Sequence, residues 1–176
     1  MIAVARGFVP VAVCQALVEC FERHIAAVGR DDAEPVFSFR VLRLRDVPRR
    51  VAADETSVRQ MRAIRWLAAE HLREVFGNPH VYPEETQIVR WSAGDGQPLH
   101  LDSTRPTTTY AAVLYLNDGF GGGETFFEDG RAVAPRTGTL VGFHGASRRH
   151  GVRTVTSGTR LTMPMWFTDV AAIAED

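Results

Sequence analysis

The sequence predicts a mainly β chain with N-terminal helices, folded as an antiparallel double-sheet jelly roll. Two observations carry this. Through residue 76 apolar side chains recur at intervals of three and four, the helical period. After Gly77 the chain changes to short β-branched and aromatic runs separated by Gly, Pro, Asn and Asp clusters, as in a sandwich or barrel. At 176 residues it can bury one sizeable core, so one domain is expected over 1–176. Helical support would occupy 10–76 and the jelly-roll core 80–170.

The first helix is expected from Val11 to Val28, with Cys14, Leu17, Val18, Phe21, Ile25 and Val28 on one stripe, opened near Pro10 and stopped at Gly29. A second is expected over Ser57–Phe76, burying Val58, Met61, Ile64, Leu67 or Ala68, Leu72 and Val75, with "GNP" ending it. Between them "PVFSFRVLRL" alternates as a strand. Six further strands follow in "ETQIVRW", "TTTYAAVLYLN", "GETFF", "TGTLVGF", "HGVRTV" and "TRLTMPMWFT". The glycines of "GFGGGET" lack the Lys-Ser/Thr and the following helix of a phosphate loop, so they read as an inter-strand turn or bulge.

Charge and cysteine content narrow the function classes. Twenty basic against twenty-one acidic residues give a formal net charge of -1, which offers no global attraction to nucleic acid or an anionic membrane. The positive charge is carried by arginine, the side chain that pairs bidentately with carboxylates. Cys14 and Cys20 are six apart on one helix and point in different directions, so no disulfide framework is expected. Arg6 and Pro10 interrupt the N-terminal apolar stretch, and no apolar run approaches membrane length. A reducing, cytoplasmic setting is expected.

The chemistry gathers around "PLHLDSTRP". Residues two apart on a strand face the same way, so His100 and Asp102 could grip one object together. Alone, His-x-Asp is a weak signal. "SRRHGVRTVTSGTRL" adds His150 at the start of a strand and Arg160 ten residues on, about one hairpin away. Two histidines and one carboxylate on one side of a metal leave positions open, the arrangement of non-haem Fe(II) oxygenases. A guanidinium nearby suits a carboxylate. His144 is the rival third ligand, but it would leave Arg160 sixteen residues away and reads as a loop residue. His24, His71 and His80 read as solvated or capping, and Trp166 and Phe167 as core.

The pattern His100-x-Asp102, His150, Arg160, with "YLND", "GGETFF" and a terminal "WFT", resembles the Fe(II)- and 2-oxoglutarate-dependent dioxygenases of the prolyl hydroxylase type. "YAAVLYLNDGFGGGETFF" and "HGVRTVTSGTR" are most similar to the prolyl 3-hydroxylase catalytic domain, and the likeness covers roughly residues 86 to 168. The resemblance implies a double-stranded β-helix barrel with Fe(II) on His100, Asp102 and His150. It further implies 2-oxoglutarate held by Arg160 and Tyr115 beside Trp91, dioxygen as co-reactant, and ascorbate as a further candidate cofactor. The implied reaction is hydroxylation of a C–H bond with release of succinate and CO2. A carboxylate at 102 argues for hydroxylation, since chlorinating relatives carry a small residue there. Desaturation, cyclisation, demethylation and a non-catalytic metal or ligand sensor are the alternatives. Two positions depart from the pattern: Trp91 stands where relatives usually carry tyrosine, and Pro164 where a hydroxyl residue often lines the cosubstrate pocket. Arg105, Arg148, Arg149 and Arg153 flank the ligand segments, and the first three are candidate contacts to a small-molecule, amino-acid or peptide substrate. No nucleic-acid or membrane partner is expected.

Overall fold

The computed structural model describes residues 1–24, 40–47, 52–102 and 107–174. In chain order these form β1 (Ile2–Ala5), α1 (Val11–His24), β2 (Arg40–Arg43), a 3-10 turn at Leu44–Asp46 and α2 (Ala52–Phe76). There follow β3 (Tyr82–Ser92), β4 (Gln97–His100), β5 (Thr108–Tyr115), β6 (Gly121–Gly122), β7 (Thr125–Phe127) and β8 (Ala132–Val133). Last come β9 (Leu140–Phe143), β10 (His150–Val152), β11 (Val155–Ser157), β12 (Thr159–Thr168) and a 3-10 turn at Ala171–Ile173. Every strand pairing is antiparallel.

A six-stranded sheet runs in the order β1-β9-β5-β12-β3-β2 and faces a four-stranded sheet, β4-β10-β7-β8, while β11 pairs with β6. The mainly β jelly roll expected from the strand runs is therefore the fold. Alternation along the strands divides the large sheet's side chains between two cores. Tyr110, Ala112 and Leu114 of β5, with Leu161, Met163, Met165 and Phe167 of β12, pack outward against Cys14, Leu17 and Phe21 of α1 and Met61, Ile64, Ala68 and Leu72 of α2. Ala111 and Tyr115 of β5 point inward and cluster with Phe127 of β7 and Val141 and Phe143 of β9. Phe127 and Phe143 meet edge to face at 5.3 Å between centroids, a pairing worth about 0.5–1.5 kcal/mol beyond its buried area.

Several expectations shift at element ends. The helix α2 starts at Ala52, five residues before the expected Ser57, because Asp54 and Glu55 stabilise the first turn against the helix dipole although the apolar stripe begins only at Val58. Described α1 ends at His24; the expected continuation through Ile25 and Val28 to Gly29 lies outside the described residues, as do residues 35–39 of "PVFSFRVLRL". "HGVRTV" is two strands, not one, with β10 in the small sheet and β11 paired to β6. The strand β1 carries no motif and forms by pairing with β9 at the sheet edge. The glycine-rich turn is a bulge: Gly122 has φ +69°, and a Cβ there would stand 2.2 Å from the Thr154 carbonyl oxygen. Register shifts where β6 meets β11.

Candidate active site

The small sheet brings the first two imidazoles together. His150 lies directly opposite His100 in the β10–β4 ladder, with ring centroids 4.3 Å apart. Asp102 was expected on the strand but stands two residues beyond its end, where its backbone N–H donates to the Gly145 carbonyl at 3.0 Å. That bond folds the carboxylate back between the rings. His100 Nε2 is 3.6 Å from Asp102 Oδ1, and His150 Nε2 is 3.6 Å from Asp102 Oδ2. The three donor atoms lie within 4.8 Å of one another.

These separations fit a metal better than a hydrogen-bonded cluster. At 3.6 Å neither contact is a hydrogen bond, whereas two ligands each about 2.1 Å from a shared ion stand at such a distance. The far ring nitrogens settle the tautomers. Nδ1 of His100 lies 3.0 Å from the Pro98 carbonyl oxygen, and Nδ1 of His150 lies 3.1 Å from that of Arg148. A carbonyl only accepts, so each Nδ1 carries the proton and each Nε2 turns a lone pair toward Asp102. The Gln97 side-chain amide lies 2.9 Å from His100 Nε2, a contact that a metal on that nitrogen would replace. Burial lowers the His150 pKa, with the Asp102 charge opposing it, so the neutral ligating form is favoured. The donor set, two imidazoles and one carboxylate on one side, suits Fe(II).

Arg160 comes from the facing sheet. It is the second residue of β12, which pairs with β3 and β5 and not with β10, so the ten residues from His150 cross between sheets where a simple hairpin was expected. The side chain is 1% exposed, its Nε donates to the Gly123 carbonyl at 3.0 Å, and its Nη1 donates to Thr162 Oγ1 at 3.2 Å. The guanidinium carbon stacks 5.3 Å from the Trp91 ring centroid and 5.4 Å from that of Tyr115. Desolvation lowers its pKa, with Tyr115 acting in the opposite sense. A cation held this deep on aromatic rings is an anchor for an anion.

The Tyr115 hydroxyl is fully buried, accepts the Thr125 backbone N–H at 2.9 Å, and lies 2.8 Å from Thr125 Oγ1 and 3.3 Å from the Val133 carbonyl. Trp166 faces this interior, packed against the inner cluster, while Phe167 points to the helices; the pair expected as core is split by strand alternation. The rim arginines have protein partners. Arg148 is bonded to Asp129, whose pKa is held down to about 2, chiefly by its hydrogen bond to Arg131. Arg149 donates to the Leu99 carbonyl at 3.3 Å and so ties the two ligand segments together. Arg105 lies outside the described residues.

His144 packs between Phe76 and Tyr110, outside the triad. His24, expected as solvated or capping, instead bonds the fully buried Asp54 at 2.8 Å. Cys14 and Cys20 are free and buried, consistent with their spacing. Gln97, Gly145 and Thr162 carry no motif of their own, and Thr125 lies inside "GGETFF" without having been singled out. Only Thr162, two residues after Arg160 and hence on its face, could have been found by alternation.

Fold and constellation together define a class, the double-stranded β-helix with a two-histidine, one-carboxylate centre. No family model matches the chain. Over 107 residues, 48% of the chain, it is 36% identical to human prolyl 3-hydroxylase 1, of whose length the match spans 14%. A Pseudomonas putida prolyl-4-hydroxylase superposes over 95% of this chain and 91% of its own, with a TM-score of 0.68 and 24% identity. A Trichoplax adhaerens prolyl hydroxylase, solved with a hypoxia inducible factor peptide fragment, does so over 96% and 83%, with a TM-score of 0.73 and 13% identity. The resemblance read from the motifs is borne out: the chain has the prolyl hydroxylase fold, and its curated relatives are prolyl 3-hydroxylases.

Proposed function

We propose that this chain is an Fe(II)- and 2-oxoglutarate-dependent dioxygenase that hydroxylates a C–H bond of a prolyl, peptidyl, amino-acid or other small substrate, releasing succinate and CO2. The observation that carries this reading is the pairing of two tautomer-fixed Nε2 atoms with Asp102 opposite a buried arginine on the facing sheet. His100, Asp102 and His150 would hold the iron, and Arg160 with Tyr115 would anchor 2-oxoglutarate beside Trp91. Bound iron supplies dioxygen activation coupled to decarboxylation of the cosubstrate. The residues of this chain do the rest. The carbonyls of Pro98 and Arg148 orient the rings, Arg149 fixes the ligand strand, and Phe127 and Phe143 keep water from the inner face.

A peptidyl substrate is supported by the peptide held in the Trichoplax neighbour. Anaerobic Fe(II) and 2-oxoglutarate should give a weak visible charge-transfer band, and aerobic incubation should give succinate. His100→Ala should abolish both iron retention and succinate formation; full activity in that variant would falsify the assignment.

A further inference from the structure

A second set of donors stands where the two helices meet, on the outer face of the six-stranded sheet and apart from the triad. Cys20 and His24 are four residues apart on α1 and therefore share one face of that helix. Both are turned to Asp54 in the first turn of α2. Cys20 Sγ lies 4.0 Å from Asp54 Oδ1, His24 Nε2 lies 2.8 Å from Asp54 Oδ2, and the three donor atoms fall within 4.8 Å of one another. Cys20 and Asp54 are fully buried, while the His24 side chain keeps 16% of its surface exposed, so the cluster is reached from solvent past the imidazole. An ionic tie between the helices needs only Arg23 and His24. The thiol aimed at the same carboxylate adds the sulfur that completes a metal-ligand set.

We propose that Cys20, His24 and Asp54 form a zinc site that clips α1 to α2. Sulfur, nitrogen and oxygen donors together suit a borderline-soft ion, so the thiolate selects zinc over the iron and cobalt that the two-histidine, one-carboxylate triad accepts. Without metal, one proton closes the site. At 2.8 Å the His24–Asp54 contact is a hydrogen bond, and an ionised carboxylate only accepts, so His24 Nε2 carries the proton. Two ligands about 2 Å from a tetrahedral ion stand roughly 3.3 Å apart, so the imidazole has to swing out by about half an ångström. Zinc takes the place of the Nε2 proton, which moves to Nδ1, and expels the proton of the thiol, which burial holds neutral. Arg23 Nη2 stays on Asp54 Oδ1 at 3.1 Å, the kind of supporting hydrogen bond that ligating carboxylates receive. Three protein ligands leave the fourth position to water.

The test uses the whole chain carrying His100→Ala, which disables the triad, freed of metal by a chelator. Cd(II) is the probe, because a cadmium–thiolate bond gives an ultraviolet charge-transfer band that nitrogen and oxygen donors do not. One equivalent should develop the band, and Zn(II) should displace the cadmium and bleach it. Zn(II) at a hundred times its Kd should raise Tm by roughly 5–10 °C. Cys20→Ser should lose the band. His24→Ala, at a partly exposed position, should weaken zinc binding at least about tenfold, the smallest loss usual when even a supporting group of a metal site is removed. Cys14→Ser, which removes the other thiol, should keep both the band and the zinc affinity. The assignment is overturned if no band forms, if Cys20→Ser keeps it, or if His24→Ala binds zinc as tightly as its parent. A Tm lowered by zinc overturns it too, since the metal is then held by cysteines of the unfolded chain. None of these results touches the iron reading, whose site is absent from this background.

Discussion

At the scale of single residues, Gly145 shows how tightly the carboxylate ligand is placed. Its carbonyl holds the Asp102 N–H, and a Cβ at 145 would stand 3.0 Å from Asp102 Oδ2 and 3.2 Å from Ala111 Cβ. Ala111 sits on the central strand β5 between β9 and β12 and cannot retreat, so the Asp102 side chain must move by a few tenths of an ångström. Gly145→Ala should therefore loosen metal binding by about tenfold, the low end for changes that misorient a ligand. The metal-free protein should melt within a few degrees of the parent, because φ at 145 lies outside the left-handed region. A Co(II) titration reads the first and a thermal melt the second; an unchanged cobalt affinity would show that Asp102 has slack. No sequence pattern marks Gly145, since its role exists only once the β9–β10 loop reaches the end of β4. His100, Asp102, His150, Arg160 and Tyr115 were legible because their spacing survives in one dimension. Thr125 acts through a contact to Tyr115 on another strand, which spacing does not encode, and Gln97 reaches His100 from three residues away on the same strand, a spacing that marks no motif.

At the scale of elements, the helices were legible by period but not at their ends, and α2 shows why. Its first turn is set by Asp54, fully buried and bonded to Arg23 at 3.1 Å and His24 at 2.8 Å on the last turn of α1. Such an ionic tie leaves no periodic trace. Burial pushes the Asp54 pKa up, but the His24 and Arg23 hydrogen bonds and their charges outweigh it and hold it below the ordinary carboxylate value. A folded-state pKa below the unfolded one contributes stability that is fully present above about pH 4 and is lost as pH falls through the folded value. Asp54→Asn should flatten the acid limb of the stability curve. At neutral pH it should cost about 3 kcal/mol, the low end for breaking a buried pair, or on the order of 10 °C in Tm for a chain of this size. Urea melts between pH 3 and 7 measure both, and parallel acid limbs in parent and variant would count against the tie. The β strands show the converse. β5 and β12 are long and were read almost to the residue, whereas β1 and β6 depend on neighbours from distant parts of the chain.

At the scale of the whole molecule, the two halves of the proposed site belong to different sheets. His100 and His150 stand on the four-stranded sheet, with Asp102 just past its end, and Arg160, Thr162 and Tyr115 stand on the six-stranded one. The sandwich interior between the sheets is lined by Ala111, Phe127, Val141 and Phe143. A dicarboxylate that chelates a metal at one end and meets Arg160 at the other would bridge the sheets, so its binding should be linked to their association. Ligand at a hundred times its Kd adds about 2.7 kcal/mol to the folded state, roughly 5–10 °C in Tm for a protein of this length. Co(II) alone should supply one such increment. 2-Oxoglutarate alone should add little, because only its distal end finds a partner, while both together should exceed the sum of the two. Arg160→Lys keeps a cation but loses the fork, and should abolish the excess while preserving the cobalt increment. Equal shifts from 2-oxoglutarate with and without cobalt would mean that it binds away from the triad, and the bridge between the sheets would not exist.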